Sequence, residues 1–183
     1  MFVKPANLGS SVGVNKVVDK KSFKKALDEA FLYDRKILIE RAVNGREIEC
    51  SVLGNENPIA SIPGEVIPHH EFYSYEAKYI DENGAALKIP AKLSKREIKT
   101  VQATALKTFK ALGCEGMARV DFFLKKDGAV LVNEINTIPG FTAISMYPKL
   151  WQASGISFSE LVDRLIGLAI ERFEHEQTLR TSR

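Results

Sequence analysis

The sequence places two carboxylates, Asp121 and Glu134, opposite each other in a predicted β-hairpin. Asp127 and Gly128 separate the two strand-like runs, and an Asp-Gly pair is typical of a two-residue type I′ turn. Counting outwards from that turn pairs Asp121 with Glu134. Like charges directly opposite one another destabilise an antiparallel pair, so we expect a cation between them. Mg²⁺ fits, because it takes oxygen ligands and is usually held by one or two carboxylates together with substrate phosphates.

The same register pairs Arg119 with Asn136. Because side chains alternate along a strand, these two residues and the carboxylates share one face of the hairpin. The amide oxygen of Asn136 is a candidate third metal ligand. The other face is predicted to be apolar, and it consists of Val120, Phe122, Leu124, Leu131 and Ile135. The alternative is a solvated polar face whose carboxylates are screened by water.

The composition is that of a soluble globular protein of one domain or little more. The chain has 183 residues and a formal net charge of +3, too small a surplus to indicate a nucleic-acid partner. It contains no secretion leader and no apolar run long enough to cross a bilayer, which predicts a cytoplasmic protein without a membrane partner. Cys50 and Cys114 are too few for a disulfide framework and suit a reducing compartment. The first strand runs straight into a glycine-containing loop, so we expect the chain to be part of a longer protein.

Hairpins dominate the predicted connections. Three helices are expected: residues 23–33 capped by Ser22, a helix opened by the capping box of Ser94 and Glu97, and a final helix capped near Ser157. Strands and helices in this mixture predict an α+β fold with largely antiparallel sheets and exclude a doubly wound nucleotide fold. The irregular aromatic stretch 68–90 is either a lid or binding loop or a disordered excursion.

Two further segments carry features of a nucleotide site. The small-residue loop 6–13 could bring backbone donors close to phosphate oxygens, with Lys4 beside it. Glu40 ends an apolar strand and Glu47 follows seven residues later, an arrangement that could read an adenine and a ribose. Taken singly, the loop is more often a structural turn and each glutamate a surface residue.

Five runs in order over nearly the whole chain resemble the C-terminal part of bacterial D-alanine–D-alanine ligases, an ATP-grasp family of peptidoglycan synthesis. The runs are VKPANLGSSVGVNKV, ILIERAVNGREIECSVLG, FYSYEAKY, GCEGMARVDFFL and NEINTIPGFTAISMYPKLW. The resemblance implies an ATP-grasp fold with 1–53 as the remainder of a small ATP-binding subdomain, 54–183 as the C-terminal subdomain and 68–90 as a lid. Family members are about twice this length, so the resemblance also implies a missing N-terminal half and, for the full-length enzyme, a homodimer.

The resemblance assigns the nucleotide contacts. Lys4 would contact ATP phosphates under the loop, Glu40 and the backbone of the next residues would bind adenine, and Glu47 would bind the ribose. The full implied set is Lys4, Gly9, Ser10, Ser11, Val12, Glu40, Arg41, Ala42, Val43, Glu47, Lys78, Phe123, Asn133 and Glu134.

The resemblance also assigns the metal and substrate contacts. It implies two Mg²⁺ or Mn²⁺ ions on Asp121, Glu134 and Asn136, with Glu134 bridging them. Arg119 and the backbone of Gly140 would steady a tetrahedral intermediate. The remaining roles fall to Lys78 on the γ-phosphate, Tyr79 sealing the lid against Ser10, and Ser145 and Met146 near the carboxylate of the second D-alanine.

The implied reaction is phosphorylation of one D-alanine carboxylate by ATP, followed by attack of the amine of a second D-alanine on the acylphosphate. We expect this chain alone to have little or no ligase activity. Two alternatives stay open: a nucleotide-binding module without catalysis, and an ATP-grasp ligase for another acid and amine or hydroxy acid, such as D-alanine and D-lactate.

Overall fold

The computed structural model describes residues 1–68, 85–142 and 144–180. Nine strands lie in these ranges, and they are β1 Phe2–Pro5, β2 Asn15–Lys16, β3 Ile37–Glu40, β4 Arg46–Gly54, β5 Ile59–Ala60, β6 Gly64–Pro68, β7 Ala85–Lys88, β8 Gly116–Leu124 and β9 Val130–Asn136. The helices of the same ranges are α1 Lys20–Ala30, α2 Lys95–Ala111, α3 Met146–Ala153 and α4 Phe158–Thr178. The strand pairings given by the register are antiparallel. The predicted α+β class with antiparallel sheets is confirmed.

The chain divides into two compact units. The first comprises Met1–Asn44 and Ile67–Ala86, and the second Gly45–Val66 and Leu87–Arg183. The predicted boundary after residue 53 differs from this division, because β4 pairs with β8 along its whole length and therefore belongs to the second unit. Most of the predicted lid, 68–90, lies outside the described residues.

The first unit contains a three-stranded sheet of order β2-β1-β3 packed on α1. Its buried core is Val3, Val17, Ala26 and Ala30. Helix α1 begins three residues earlier than predicted, because Asp19 is the N-cap and Ser22 is the N3 partner in a capping box. Strand β3, the apolar strand that ends at Glu40, is mostly exposed in the described chain.

The second unit is built on a larger sheet of order β7-β6-β4-β8-β9, with β5 paired to β4. Helix α2 covers one face, and the predicted capping box of Ser94 and Glu97 opens it. The core between this helix and the sheet contains Ile48, Cys50, Val52, Ala91, Val101, Ala105, Phe109, Ala118, Val120, Phe122 and Leu124. The β4 and β8 members of this core occupy every second position, so the residues between them point to the opposite face.

Helices α3 and α4 and the segment between them pack on Leu53 of β4 and form a second core, which contains Leu53, Tyr147, Trp151, Ile156 and Leu161. Helix α3 was not predicted, because its apolar residues are concentrated in one short turn-flanked stretch. Ser157 caps α4 as predicted. Leu161 of this helix is fully buried, Leu165 and Leu168 are partly buried, and Phe173 is exposed. Within the described ranges, no helix combines the length and apolarity needed to cross a membrane.

The two cysteines differ in their surroundings, and both are free thiols. Burial raises the pKa of Cys50 to about 12, against a smaller opposing effect of its hydrogen bond with Ser61. Cys114 is partly exposed, and burial raises its pKa as well. We expect Ellman's reagent at pH 8 to label Cys114 of the native chain well before Cys50, with both labelled in denaturant, because the thiolate is the reactive species. Equal labelling rates in the native chain would contradict this.

Candidate active site

The hairpin of β8 and β9 has the predicted facing pairs but not the predicted turn. Asp121 pairs with Glu134 and Arg119 with Asn136. The loop is a three-residue turn, since the Lys125 N–H donates to the Ala129 carbonyl at 2.9 Å and Gly128 adopts a φ of +82°. The register then shifts between Asp121 and Phe122.

This shift is a β-bulge at Asn133, because Phe122 pairs with Val132 while Asp121 pairs with Glu134. The bulge compensates for the longer turn and restores the predicted pairing of the two carboxylates. Between the bulge and the turn the prediction is wrong: Leu131 pairs with Phe123, on the polar face of the hairpin, and is exposed.

Strand β4 adds a third carboxylate to the row. Glu49 pairs with Asp121, which pairs on its other side with Glu134. Three acidic residues therefore occupy adjacent positions on three neighbouring antiparallel strands and share the face opposite the α2 core. Such a row is destabilising unless a cation neutralises it.

Arg119 is that cation. Its Nε lies 2.7 Å from Oδ1 of Asp121 and 2.9 Å from Oε2 of Glu49, and its Nη2 donates to Oδ2 of Asp121 at 2.7 Å. The Arg119 side chain is 21% exposed, and those of Glu49 and Asp121 are 13% exposed. A bidentate guanidinium-carboxylate pair in such a shielded position is among the stronger ionic hydrogen bonds.

Two opposing effects act on the pKa of Arg119. Burial alone lowers it, but the hydrogen bonds with Asp121 and the charges of Asp121, Glu49 and Glu134 outweigh burial and raise the pKa above its usual value. Arg119 is therefore a permanent positive charge fixed among carboxylates.

Asn136 connects the carboxylates of Asp121 and Glu134. Its Nδ2 donates to Asp121 Oδ2 at 3.1 Å and to Glu134 Oε1 at 3.3 Å. Among the described residues, no three His, Cys, Asp or Glu side chains are arranged to hold a metal ion by themselves. Asp121 and Glu134 with the Asn136 amide oxygen nevertheless suit Mg²⁺, which takes one or two protein carboxylates and completes its shell with water and phosphate oxygens. In this arrangement the Asn136 side chain directs its Nδ2 atom at the carboxylates. The amide group must therefore rotate by about half a turn before its oxygen can bind a metal ion between them.

Helix α3 closes one end of the same sheet face. Ser51, next to Glu49 on that face of β4, is buried and donates its hydroxyl to the Tyr147 carbonyl at 3.4 Å. The Tyr147 hydroxyl donates to the Val52 carbonyl at 3.1 Å. These bonds anchor α3 beside the acidic row.

The chain before α3 brings together two more predicted positions. A Cβ added at Gly140 would lie 3.0 Å from the Ser145 hydroxyl oxygen. That hydroxyl accepts from the Thr142 N–H at 3.0 Å, and Ser145 is the N-cap of α3. Met146 follows and is buried. Gly140 and Ser145 are thus neighbours, and their substrate roles stay predictions.

Glu47 and Phe123 form the next pair on the polar face, at the open end of the acidic row. Asn133 is the exposed bulge residue. The ribose contact of Glu47 and the nucleotide contacts of Phe123 and Asn133 stay predictions. Lys78 and Tyr79 lie outside the described residues.

The first unit carries the other nucleotide candidates. Lys4 Nζ lies 2.7 Å from Oε2 of Glu40, so the two are ion-paired across β1 and β3. Ser10 and Ser11 adopt φ values of 56° and 61°, a left-handed conformation that is costly for residues other than glycine and often marks ligand-holding segments. The remaining candidates Gly9, Arg41 and Ala42 are exposed, while Val12 and Val43 are half-buried.

Residues 1–167 match the family model described as "D-ala D-ala ligase C-terminus". The chain belongs to this family. That assignment confirms the family resemblance seen in the sequence and covers both units of the fold.

Individual relatives agree with the family assignment. A D-alanine–D-alanine ligase from Oceanobacillus iheyensis is 60% identical over 183 residues, which are all of this chain and 50% of the relative. The structure of the D-alanine–D-alanine ligase from Coxiella burnetii superimposes with a TM-score of 0.87 at 48% identity, covering 97% of this chain and 47% of that one. The VanG D-Ala:D-Ser ligase from Enterococcus faecalis gives a TM-score of 0.83 at 39% identity, covering 91% and 48%. The chain spans about half the length of the curated relatives it matches.

Glu49 is the member of the acidic row that the sequence did not reveal. The signal was available: Ile48, Cys50 and Val52 alternate with Glu47, Glu49 and Ser51, so the glutamates share the polar face of one strand. What the sequence did not provide was the pairing of β4 with β8, which sets Glu49 beside Asp121.

Proposed function

We propose that this chain forms the catalytic C-terminal part of an ATP-dependent ligase that joins two D-alanines into D-alanyl-D-alanine. The observation that carries the proposal is the cluster of Arg119, Asp121, Glu134 and Asn136 on one sheet face, in a chain that belongs to the D-alanine–D-alanine ligase family. Phosphoryl transfer depends mainly on positioning and charge stabilisation, and these groups supply both.

Asp121, Glu134 and Asn136 would hold divalent metal ions, which when bound would neutralise the charge of the transferring phosphate. We propose two such ions, the number that the resemblance to the ligase family implies, with Glu134 shared between them. Lys4 and the loop 9–12 would contact the phosphates, and Glu40 and Glu47 would contact the adenosine.

Arg119 would act in the second half of the reaction. When the amine of one D-alanine attacks the acylphosphate of the other, the carbonyl oxygen gains negative charge before phosphate leaves. A guanidinium already fixed by carboxylates needs no reorganisation to stabilise that charge. The Gly140 backbone is proposed to help Arg119 stabilise that oxygen, and Ser145 and Met146 are proposed to lie near the carboxylate of the acceptor D-alanine.

Calorimetry with a non-hydrolysable ATP analogue and Mg²⁺ tests the nucleotide part of the proposal. We expect binding that requires the metal and is lost in Glu134→Gln, since one metal-binding carboxylate is removed while its size is kept. Binding that is equal without metal, or unchanged by the substitution, would contradict the metal site.

Phosphate release with ATP, Mg²⁺ and D-alanine tests catalysis. We expect little or no turnover by the 183-residue chain and D-alanine-dependent turnover by a longer chain that contains it, because the matched relatives are twice as long. Analogue binding without turnover in the longer chain would favour a nucleotide-binding module instead.

The acceptor is a separate question, because the chain is also 39% identical to a D-Ala:D-Ser ligase. Product analysis with D-alanine, D-serine and D-lactate as competing acceptors decides it. The proposal predicts that D-alanyl-D-alanine dominates at neutral pH, and a dominant mixed product would overturn the acceptor assignment.

A further inference from the structure

We propose that Glu49 is a positioning residue that keeps the Arg119 guanidinium in place when Asp121 binds a divalent metal ion. The catalytic consequence of this role rests on the proposed function. The placement of Arg119 by Glu49 is independent of it and can be tested without turnover.

Asp121 holds several groups at once. Both of its carboxylate oxygens accept hydrogen bonds from Arg119, and Oδ2 also accepts one from Asn136. A metal ion at Asp121 competes for these lone pairs and repels the guanidinium. Asp121 therefore binds Arg119 more weakly when it also binds a metal ion.

Glu49 occupies the position that solves this conflict. It lies on β4, whereas Glu134 lies on β9, and β8 runs between these two strands. The Oε2 atom of Glu49 is 2.9 Å from Arg119 Nε. In the register Arg119 pairs with Ser51, so Glu49 is its diagonal neighbour, within reach of a long side chain. A metal ion held between Asp121 and Glu134 leaves Glu49 as the carboxylate that retains Arg119.

The same sheet contains a matched control on its other face. Arg46 donates to both oxygens of Glu65 at 2.7 Å, and the Glu65 side chain is 10% exposed, close to the 13% of Glu49. Arg46 alternates with Glu47 along β4, so this pair lies on the α2 side, away from the acidic row. Glu65→Gln therefore removes a similarly shielded charge without touching Arg119.

The test follows the side-chain Nε–H of Arg119 by ¹⁵N NMR in the 183-residue chain, assigned by its loss in Arg119→Lys. Asp121→Asn imitates the neutralisation of Asp121 by a metal without adding one. We expect hydrogen exchange of this N–H to stay within about threefold of wild type in Asp121→Asn, because the Nε–H that donates to Asp121 can then donate to the Glu49 carboxylate, whose Oε2 lies 2.9 Å from Nε. In the double variant with Glu49→Gln we expect exchange to be about tenfold faster or more, because both carboxylates in contact with Nε have then lost their charge. Glu65→Gln should leave the Arg119 signal unchanged.

If Asp121→Asn alone frees Arg119 as fully as the double variant does, Glu49 does not hold it and the inference is overturned. A Mg²⁺ titration provides the second measurement, in case the double variant fails to fold. Mg²⁺ should leave the Arg119 exchange rate of wild type within about threefold and speed that of Glu49→Gln by about tenfold. Equal responses of the two proteins to bound Mg²⁺ would also overturn the inference.

The two proposals fail in different ways. Absence of any Mg²⁺ effect on Asp121 and Glu134 signals in wild type contradicts the proposed metal site, while the Asp121→Asn comparison still decides the role of Glu49. In a longer, active chain we expect Glu49→Gln to lower kcat by about 100-fold with the KM for ATP nearly unchanged, the scale of effect that a 1 Å misplacement produces. Glu49→Asp should recover part of the loss, and an unchanged kcat would contradict the use of Arg119 in the reaction.

Discussion

Replacing Arg119 by methionine should lower the free energy of unfolding of the second unit by about 3 kcal/mol or more, because removing one partner of a shielded ion pair leaves uncompensated charge behind. In this variant two largely shielded carboxylates, Glu49 and Asp121, lose the positive charge that they share, and Glu134 lies beside them in the same row. Urea unfolding followed by the fluorescence of Trp151 measures it, since this is the single tryptophan of the chain and it is buried in the same unit.

Mg²⁺ should restore part of that stability. Without Arg119 the acidic row is an open site for a divalent cation, and a ligand at ten times its dissociation constant stabilises the folded state by about 1.4 kcal/mol. The control is Arg46→Met, whose side chain is 39% exposed and whose pair with Glu65 lies on the other face. We expect a smaller loss there and no specific recovery with Mg²⁺. An Arg119→Met protein within about 0.5 kcal/mol of wild type would show that the cluster is not energetically coupled.

The hairpin illustrates how far the sequence determines the site. The pairing of Asp121 with Glu134 was predicted correctly, although the two-residue turn from which it was counted was wrong. The Asp-Gly pair does form the turn, with Gly128 in the left-handed conformation, but the loop has three residues and a bulge at Asn133 restores the register. Turn length and bulges depend on how both strands pack on the core, which a local pattern does not encode.

Elements with strong local signals were predictable, and elements defined by tertiary contacts were not. The capping box of Ser94 and Glu97 was sufficient to place the start of α2. Helix α3 has no side-chain cap and is fixed instead by hydrogen bonds to Ser51 and Val52. Glu49 was missed for the same reason, because its partner lies on a strand about seventy residues away in the sequence.

The second large effect is expected from Phe109→Ala, a core substitution remote from the charged face. Phe109 is fully buried in α2, in the cluster that includes Ile48, Cys50, Val120 and Phe122. Truncation of a buried phenylalanine costs about 3–5 kcal/mol, through lost burial and the cavity that remains. The free energy of unfolding from urea titration, read by far-UV circular dichroism and by Trp151 fluorescence, measures the loss.

This substitution also tests whether the core beneath the sheet supports the site above it. Ile48 and Cys50 flank Glu49, and Val120 and Phe122 flank Asp121, so the backbone that carries the acidic row is the backbone that packs beneath Phe109. We therefore expect Phe109→Ala to weaken Mg²⁺-dependent nucleotide binding as well as stability. Leu112→Ala, one turn further along and 62% exposed, should change stability by less than about 0.5 kcal/mol and leave binding intact. If Phe109→Ala loosens the core but leaves binding at the wild-type level, the acidic row is held by its own ionic contacts and not by the packing below it.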